Sequence, residues 1–292
     1  MPMVNGRLRK TTNPKVRTWR ITKTALTYLV LIGLSCVFLI PFFWMLSTSL
    51  TEASRVIVRD RAWIPHPMVW HNYFEALTVL PFHLFLKNTL IITIACIFGQ
   101  TLSASLVAFG FSRMRFPGRN VLFIMVLSTM MLPAQVTQIP TFVIFTHLRW
   151  IDTLKPLIVP AFFGGGAFFI FLLRQFFMTI PSELEDAAKI DGCSPLGIYW
   201  NVALPLSKPA LATVAIFSFM GHWNDFMGPL IYIQSMENKT LALGLNSFKS
   251  LHGTEYHLLM AASIAVLLPV LAIFFSAQKY FVQGIVLSGI KG

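Results

Sequence analysis

The chain has 292 residues, 55% of them hydrophobic and only 12% charged, with a net charge of +12. A soluble domain of this length carries about a quarter charged residues, and apolar runs of about 20 residues, enough to cross a bilayer, recur along this one. An ordinary water-soluble domain is excluded, and an all-α membrane protein is expected.

The positive charge comes first. Arg7, Arg9, Lys10, Lys15, Arg17, Arg20 and Lys23 precede the first apolar run, as on the cytoplasmic flank of a membrane segment rather than on a nucleic-acid-reading surface. The tail is too long and polar for a cleaved leader, and no small-residue cleavage site follows the run. Residues 1–24 are therefore read as a basic tail and the first span as retained. Spans are predicted at about 25–46, 88–111, 121–146, 156–178, 209–233 and 257–281. Each is helical, because lipid offers no partner to backbone polar groups. A six-span domain over 25–281 is then followed by a short tail, 282–292. With the N-terminus in the cytoplasm, most of the 23 Lys and Arg residues fall on that side, which places both termini there.

Between spans one and two, the long connection 47–87 is rich in aromatic residues (Trp63, Trp70, Tyr73, Phe74, Phe82). It suits either the membrane interface or an external partner. In the second span, Gly99 with Ser103 and Ala104 with Ala108 provide small residues at four-residue spacing, which let helices approach closely. Pro133 and Pro140, around Gln135 and Gln138, predict a bent third span. Gly164, Gly165 and Gly166 interrupt the fourth.

The next segment, 182–206, is acidic and carries its own helix punctuation. Ser182 with Glu185 reads as a capping box, and Leu184, Ala187 and Ala188 share one helical face. Glu183, Glu185 and Asp186 lie at the positive end of the helix dipole, and Gly192 offers a left-handed stop. Ser194 followed by Pro195 starts a second helix, along which Leu196, Tyr199, Trp200 and Ala203 form a stripe. Leu204 is disfavoured in a helix before proline, so Pro205 is expected to close it. The result is a cytoplasmic helix–turn–helix with a bare apolar face. On physical grounds it either rests on lipid or docks a partner.

This segment resembles the "EAA" loop of permease subunits of binding-protein-dependent ABC importers. That pattern is Glu-Ala-Ala, three residues, Gly, nine residues, Ile, any residue, Leu-Pro. Here Asp186-Ala187-Ala188 is followed at the same spacing by Gly192, Val202, Leu204 and Pro205, with Asp in place of Glu and Val in place of Ile. "LRQFFMTIPSELEDAAKIDG", "LPLSKPALATVAIFSFMGHWNDFMGPL" and "YFVQGIVLSGIKG" are similar to the carbohydrate-importing branch, in particular its maltose- and glycerol-3-phosphate-type second permease. The resemblance implies a six-helix type I ABC importer permease fold in a bacterial inner membrane. The implied partners are a second homologous permease, two copies of a cytoplasmic ATPase and an extracytoplasmic solute-binding protein. ATP and Mg would be held by the ATPase, and no cofactor by this chain. The loop residues implied to dock on the ATPase are Glu183, Glu185, Asp186, Ala187, Ala188, Gly192, Leu204 and Pro205. The tail residues Ser288, Gly289, Ile290, Lys291 and Gly292 would reach toward the ATPase pair.

The residues themselves provide no energy source. In "GIVLSGIKG", Gly284 and Gly289 have phosphate-loop spacing, but Ile290 intervenes before Lys291, no Ser or Thr follows, and no strand precedes. The histidines are dispersed without metal-ligand spacing. Cys36, Cys96 and Cys193 form no disulfide framework, and "NKT" at Asn238 is a chance glycosylation match. No catalytic set is present, so a non-enzymatic subunit is expected.

Asp225 is the one carboxylate expected inside a span, where charge usually faces a partner or a cavity. Ser218, His222 and Asp225 fall on one face of a continuous fifth helix, with Trp223 and Asn224 beside them. Together with Gln135 and Gln138 they are candidates for a translocation pathway; a structural contact of Asp225 with a neighbouring helix is the other reading. An oligosaccharide is the expected substrate, with an acidic saccharide or glycerol 3-phosphate as the alternative. The competing class is an ion-coupled secondary transporter, although no internal repeat is found.

Overall fold

The structure is a computed structural model and describes residues 14–56, 63–250 and 253–289. Those residues are almost entirely helical, apart from an antiparallel pair of two-residue strands at Lys249–Ser250 and Gly253–Thr254. Four segments are long and apolar enough to cross a membrane: Thr22–Ser49, Phe82–Arg113, Lys155–Phe177 and Tyr256–Ser276. Counting two bent helix pairs as one span each gives six.

The first span lies in α1 (Pro14–Ser49), exposed along most of its length. The connection after it contains α2 (His71–Thr78), which the sequence reading did not anticipate. Asn72 donates through Nδ2 to the carbonyls of Ser49 and Thr51, both at 2.9 Å, and Ala76 is fully buried. This stretch is thus partly built into the fold, while Trp63, Trp70 and Phe74 stay exposed.

The central helix is α3 (Phe82–Arg113), which packs mainly against the fourth and fifth spans. Its small residues do what their spacing promises. Ala104 and Ala108 are fully buried, and Ser103 donates to the carbonyl of Ala161 at 3.0 Å. A Cβ on Gly165 would lie 2.5 Å from the carbonyl oxygen of Gln100, and its φ of +64° is one that side chains rarely adopt.

The third span is α4 (Arg119–Ser128) and α5 (Ala134–His147), with a 3₁₀ turn at Thr129–Met131. Its two halves meet at 98°. Pro133 lacks an N–H and holds Leu132 extended, so the helix breaks there. Pro140 is tolerated inside α5.

The fourth span consists of α6 (Lys155–Ile158), a 3₁₀ turn at Val159–Phe162 and α7 (Ala167–Phe177), joined through Gly164–Gly166, all at positive φ. Next come α8 (Ser182–Ile190), α9 (Pro195–Ile198), a π turn at Tyr199–Ala203 and α10 (Leu204–Leu206). The fifth span draws on α11 (Lys208–Trp223), only 16 residues long, which meets the preceding segment Pro195–Leu206 at 79° and is followed by α12 (Met227–Tyr232). At 1.5 Å per residue, α11 alone reaches ~24 Å, short of a ~30 Å hydrocarbon core. After α13 (Leu241–Asn246), the last span lies in α14 (Tyr256–Gly289), which runs beyond the expected end at 281.

The buried apolar side chains form two main cores at opposite ends of α3. One contains Ala104, Ala108, Phe109, Phe177, Ile198, Tyr199 and Ala203 and lies at the end bearing segment 182–206, here the loop end. The other contains Ala76, Phe82, Phe85, Trp223, Leu258 and Ala261, at the far end.

Candidate functional site

The helix–turn–helix at 182–206 forms as its local signals require, with three departures. Gly192 has φ +82° and ends α8. Ser194 caps α9 by accepting from the Gly197 N–H at 3.2 Å, with Pro195 in the first turn. The first departure is the capping box. Helix α8 begins at Ser182, Pro181 occupies the cap position, and no side chain caps the helix.

Glu185 has a stronger partner than a backbone N–H. It is buried, and its Oε1 lies 2.9 Å from Nε of Arg113, the last residue of α3. Both side chains are about one-tenth exposed. The Nε–H is not directed at the carboxylate, so the contact is an ion pair by distance. The Arg113 guanidinium also donates to the carbonyls of Phe177 and Ile180, where the fourth span ends. One arginine thus binds the second span, the end of the fourth and α8. Glu185 consequently braces the loop from behind instead of presenting its charge outward.

The second departure is at Pro205. Leu204 stays helical (φ −62°, ψ −49°) and the chain continues to Leu206. The π turn just before Pro205 widens the backbone where proline would otherwise clash with the preceding turn, so the helix ends at Ser207 instead.

In the third departure, the stripe on the second helix divides. Tyr199 and Ala203 turn into the loop-end core, where the Tyr199 and Ser105 hydroxyls lie 2.7 Å apart. Leu196 and Trp200 face outward, 58% and 51% exposed, with Leu184 and Ile190 on α8 at 44% and 87%. Ala187 is exposed beside them and Ala188 is half-buried. The outer surface of the loop is therefore apolar, low in relief at its alanines, and backed by buried contacts. Glu183 is exposed, and Asp186 pairs with Lys189 at 2.8 Å on open surface, a contact worth well under about 1 kcal/mol.

The tail residues Ser288 and Gly289 fall in the last turn of α14; Ile290, Lys291 and Gly292 lie outside the described residues.

The expected pathway face is not assembled as a helical face. Helix α11 stops at Trp223, so Asp225 lies beyond it, where it accepts from the Gly228 N–H at 3.1 Å at the start of α12. A seven-residue helical offset therefore does not describe its placement. Ser218 is buried and donates to Oε1 of Gln100 at 2.7 Å. Trp223 is buried in the far-end core and donates to the carbonyl of Val266 at 3.2 Å. His222 is half-buried, and Asn224 is exposed with its amide on the carbonyl of Met220. In the third span, Gln135 is exposed and Gln138 half-buried. These residues come from two separately broken helices.

Arg113 is not among the site residues expected from the sequence, because nothing in its local stretch distinguishes it from the other basic residues. The available signal was a buried-side glutamate on a helix that already had acidic residues enough for its dipole.

Residues 100–286 match the family of binding-protein-dependent transport system inner membrane components. The chain is 32% identical over 288 residues to the arabinooligosaccharides transport system permease protein AraQ of Bacillus subtilis (strain 168), covering 96% of this chain and 99% of that one. It is 32% identical over 256 residues to the sn-glycerol-3-phosphate transport system permease protein UgpE of Yersinia pestis bv. Antiqua (strain Antiqua), covering 85% and 90%. Among solved structures it is similar to a chain of a bacterial ABC transporter involved in the import of the acidic polysaccharide alginate. The TM-score is 0.78 at 25% identity, over 91% of this chain and 98% of that one. A chain of an alginate transporter in complex with its pentasaccharide-bound periplasmic protein shares the fold, with a TM-score of 0.65 at 18% identity, covering 89% and 96%.

Proposed function

The chain belongs to the binding-protein-dependent transport system inner membrane components, and from that membership we propose that it is the permease subunit of an ATP-driven sugar importer whose loop 182–206 is held by a separate ATPase. The observation that carries the reading is the loop itself, whose apolar outer face is backed by a buried ion pair and a buried hydroxyl pair. A segment merely lying on lipid has no need of such bracing.

In this reading the loop faces the cytoplasm, as do both termini. Two ATPase copies, binding ATP and Mg, grip this loop and its counterpart on a second homologous permease. Exposed apolar side chains such as Met131, Val136 and Ile139 at the third-span bend are offered to that second permease or to lipid. ATP-driven closure draws the loops together and turns the cavity toward the extracytoplasmic binding protein, and hydrolysis reverses it. The chain itself carries out no hydrolysis. His222, Asn224 and Asp225 at the break of the fifth helix, with Gln135 and Gln138, are the polar groups left for a pathway. Ser218 and Trp223 are committed to structural contacts.

An oligosaccharide is the proposed substrate, in keeping with the arabinooligosaccharide relative. Relatives named for glycerol 3-phosphate and alginate support an anionic variant. The ligand that co-purifies with the cognate binding protein separates the two.

The docking role is tested with Ala187→Asp and Gly192→Asp. Each puts an unpaired charge into a tight contact, costing several kcal/mol if buried, and Gly192→Asp also strains a left-handed residue. Both are expected to lose the ATPase on purification and to abolish ATP-dependent uptake in proteoliposomes. Retention of both would refute the reading, and uptake on an ion gradient without ATP would refute the class.

A further inference from the structure

Arg113 and Tyr199 lie outside the set of residues implied to meet the ATPase, yet each ties the loop to α3 through a buried polar contact. Both contacts end on the same helix. The α8 half of the loop is tied to the end of α3 by Glu185 and Arg113 at 2.9 Å. The second half is tied to α3 by the Tyr199 and Ser105 hydroxyls at 2.7 Å. Along α3 the two attachment points are about two turns, ~12 Å, apart.

One attachment would leave the loop free to swivel about it. Two attachments on a stiff helix remove that freedom, so a rotation of the loop becomes a tilt of α3. The surroundings allow little slip. Tyr199 is 1% exposed and packs edge-on against Phe109 of α3, with ring centroids 5.4 Å apart. Phe109 in turn meets Phe177 of the fourth span. Arg113 closes the set by donating to the carbonyls of Phe177 and Ile180.

We propose that the loop and α3 move as one rigid body, clasped by Glu185–Arg113 and Tyr199–Ser105, so that the second span is the first recipient of ATPase motion and Arg113 is the positioning residue that transmits it. This rests on the docking reading above. It goes further by naming the helix that is driven and the side chains that drive it. Arg113 touches neither nucleotide nor substrate in this account; it acts only by holding Glu185 and the end of the fourth span in register with α3. Lysine could keep the charge at Arg113 but not the planar fork that reaches two carbonyls and a carboxylate together.

The test is a spin-label distance measured in the full transporter complex. One label is placed at Asn201→Cys, exposed on the loop but outside its apolar docking face, and the other at Ile94→Cys on the exposed side of α3. Cys36 and Cys193 are replaced by serine, and the buried Cys96 is left in place. Distances are recorded without nucleotide and with ATP and Mg under conditions that block hydrolysis. The expected result is an unchanged, narrow distribution in the otherwise wild-type complex. In Arg113→Gln combined with Tyr199→Phe, ATP should shift and broaden it. Arg113→Lys, tested with native Tyr199, should fall between.

A wild-type distance that shifts on ATP binding overturns the proposal, as does a double variant that stays rigid. Arg113→Lys behaving like Arg113→Gln alone overturns the part assigned to the ion pair. Should the double variant fail to assemble, Tyr199→Phe alone, which removes one hydroxyl, is read by the same criterion. Failure of the docking reading is seen separately and earlier, as wild-type complex that purifies without the ATPase.

Discussion

The two ends of α3 are held by different chemistry. At the loop end two buried side-chain pairs span long stretches of sequence, Glu185 with Arg113 and Tyr199 with Ser105, and Arg113 also reaches the carbonyls of Phe177 and Ile180. At the far end most bonds run from side chain to backbone, alongside the Ser235 hydroxyl on Asp152 and the Ser49–Tyr73 hydroxyl pair. Asp152 accepts from the N–H groups of Gln234 and Ser235 at 3.0 and 2.9 Å, and Asn238 donates to the carbonyl of Asp152. Asn88 donates to the carbonyls of Glu237 and Lys239, and the Leu241 N–H donates to Thr89. Side-chain-to-backbone bonds stitch a loop into one conformation, because the backbone groups they satisfy must otherwise stay wet. Clasps between side chains join bodies that are each already folded. The far end is stitched into one conformation, and the loop end is the one that, on the proposal above, hands on a motion.

The largest test of that contrast is Arg113→Met. It leaves the carboxylate of Glu185 buried without its partner, and the expected loss is about 3 kcal/mol. Thermal unfolding of the detergent-purified protein should show it, together with faster amide exchange across 182–206 and little change at 232–241. A loss spread evenly over both ends would erase the distinction.

Asp152→Ala comes next and acts at the opposite end. It removes three hydrogen bonds to one oxygen of a half-buried carboxylate, from the Gln234 N–H, the Ser235 N–H and the Ser235 hydroxyl, so about 1–2 kcal/mol is expected rather than the value for a buried ion pair. Exchange should quicken at 232–238, with ATP-dependent uptake intact. Abolished uptake would mean that the stitched end also carries motion.

Tyr199→Phe is smaller, about 1 kcal/mol for one buried hydroxyl bond, since Ser105 keeps its bond to the Leu102 carbonyl. Its expected signature is loosened coupling at nearly unchanged stability, read as more ATP hydrolysed per substrate moved.

The smallest effect is a pH dependence confined to the far end. The backbone N–H of Ser235, and then that of Gln234, hold the Asp152 carboxyl below its ordinary value of 3.8. A lowered folded pKa contributes stability above the unfolded value and loses it as pH falls through the folded one. Exchange protection at 232–238 should therefore hold from neutral pH to about 4 and weaken below it. Asp152→Asn should flatten that slope, and an unaltered slope would show that Asp152 does not set it.

Much of this molecule could be read before its structure was known. Apolar runs announce spans because lipid permits only helices there. Gly192, and Ser194 followed by Pro195, punctuate a loop because their conformational preferences are local. Pro133 likewise breaks the third span. The misreadings share a cause. Ser182 and Glu185 had the spacing of a cap, but Arg113, some seventy residues earlier, offered the carboxylate a full charge. Pro205 carried a stop signal that the π turn at Tyr199–Ala203 absorbed. Asp225 shares a face with Ser218 only if the helix continues past Trp223, and it does not. Helix α2 was hidden because its burial comes from Asn72 and Ala76 meeting distant elements.

The sequence by itself determined the class, the number of crossings and the outline of the loop, since each depends on run length or on the backbone preference of single residues. Tertiary structure alone decided what the loop is attached to. The partner of a buried charge is chosen by which opposite charge lies within reach after folding, and that proximity is not encoded in any local stretch of the chain.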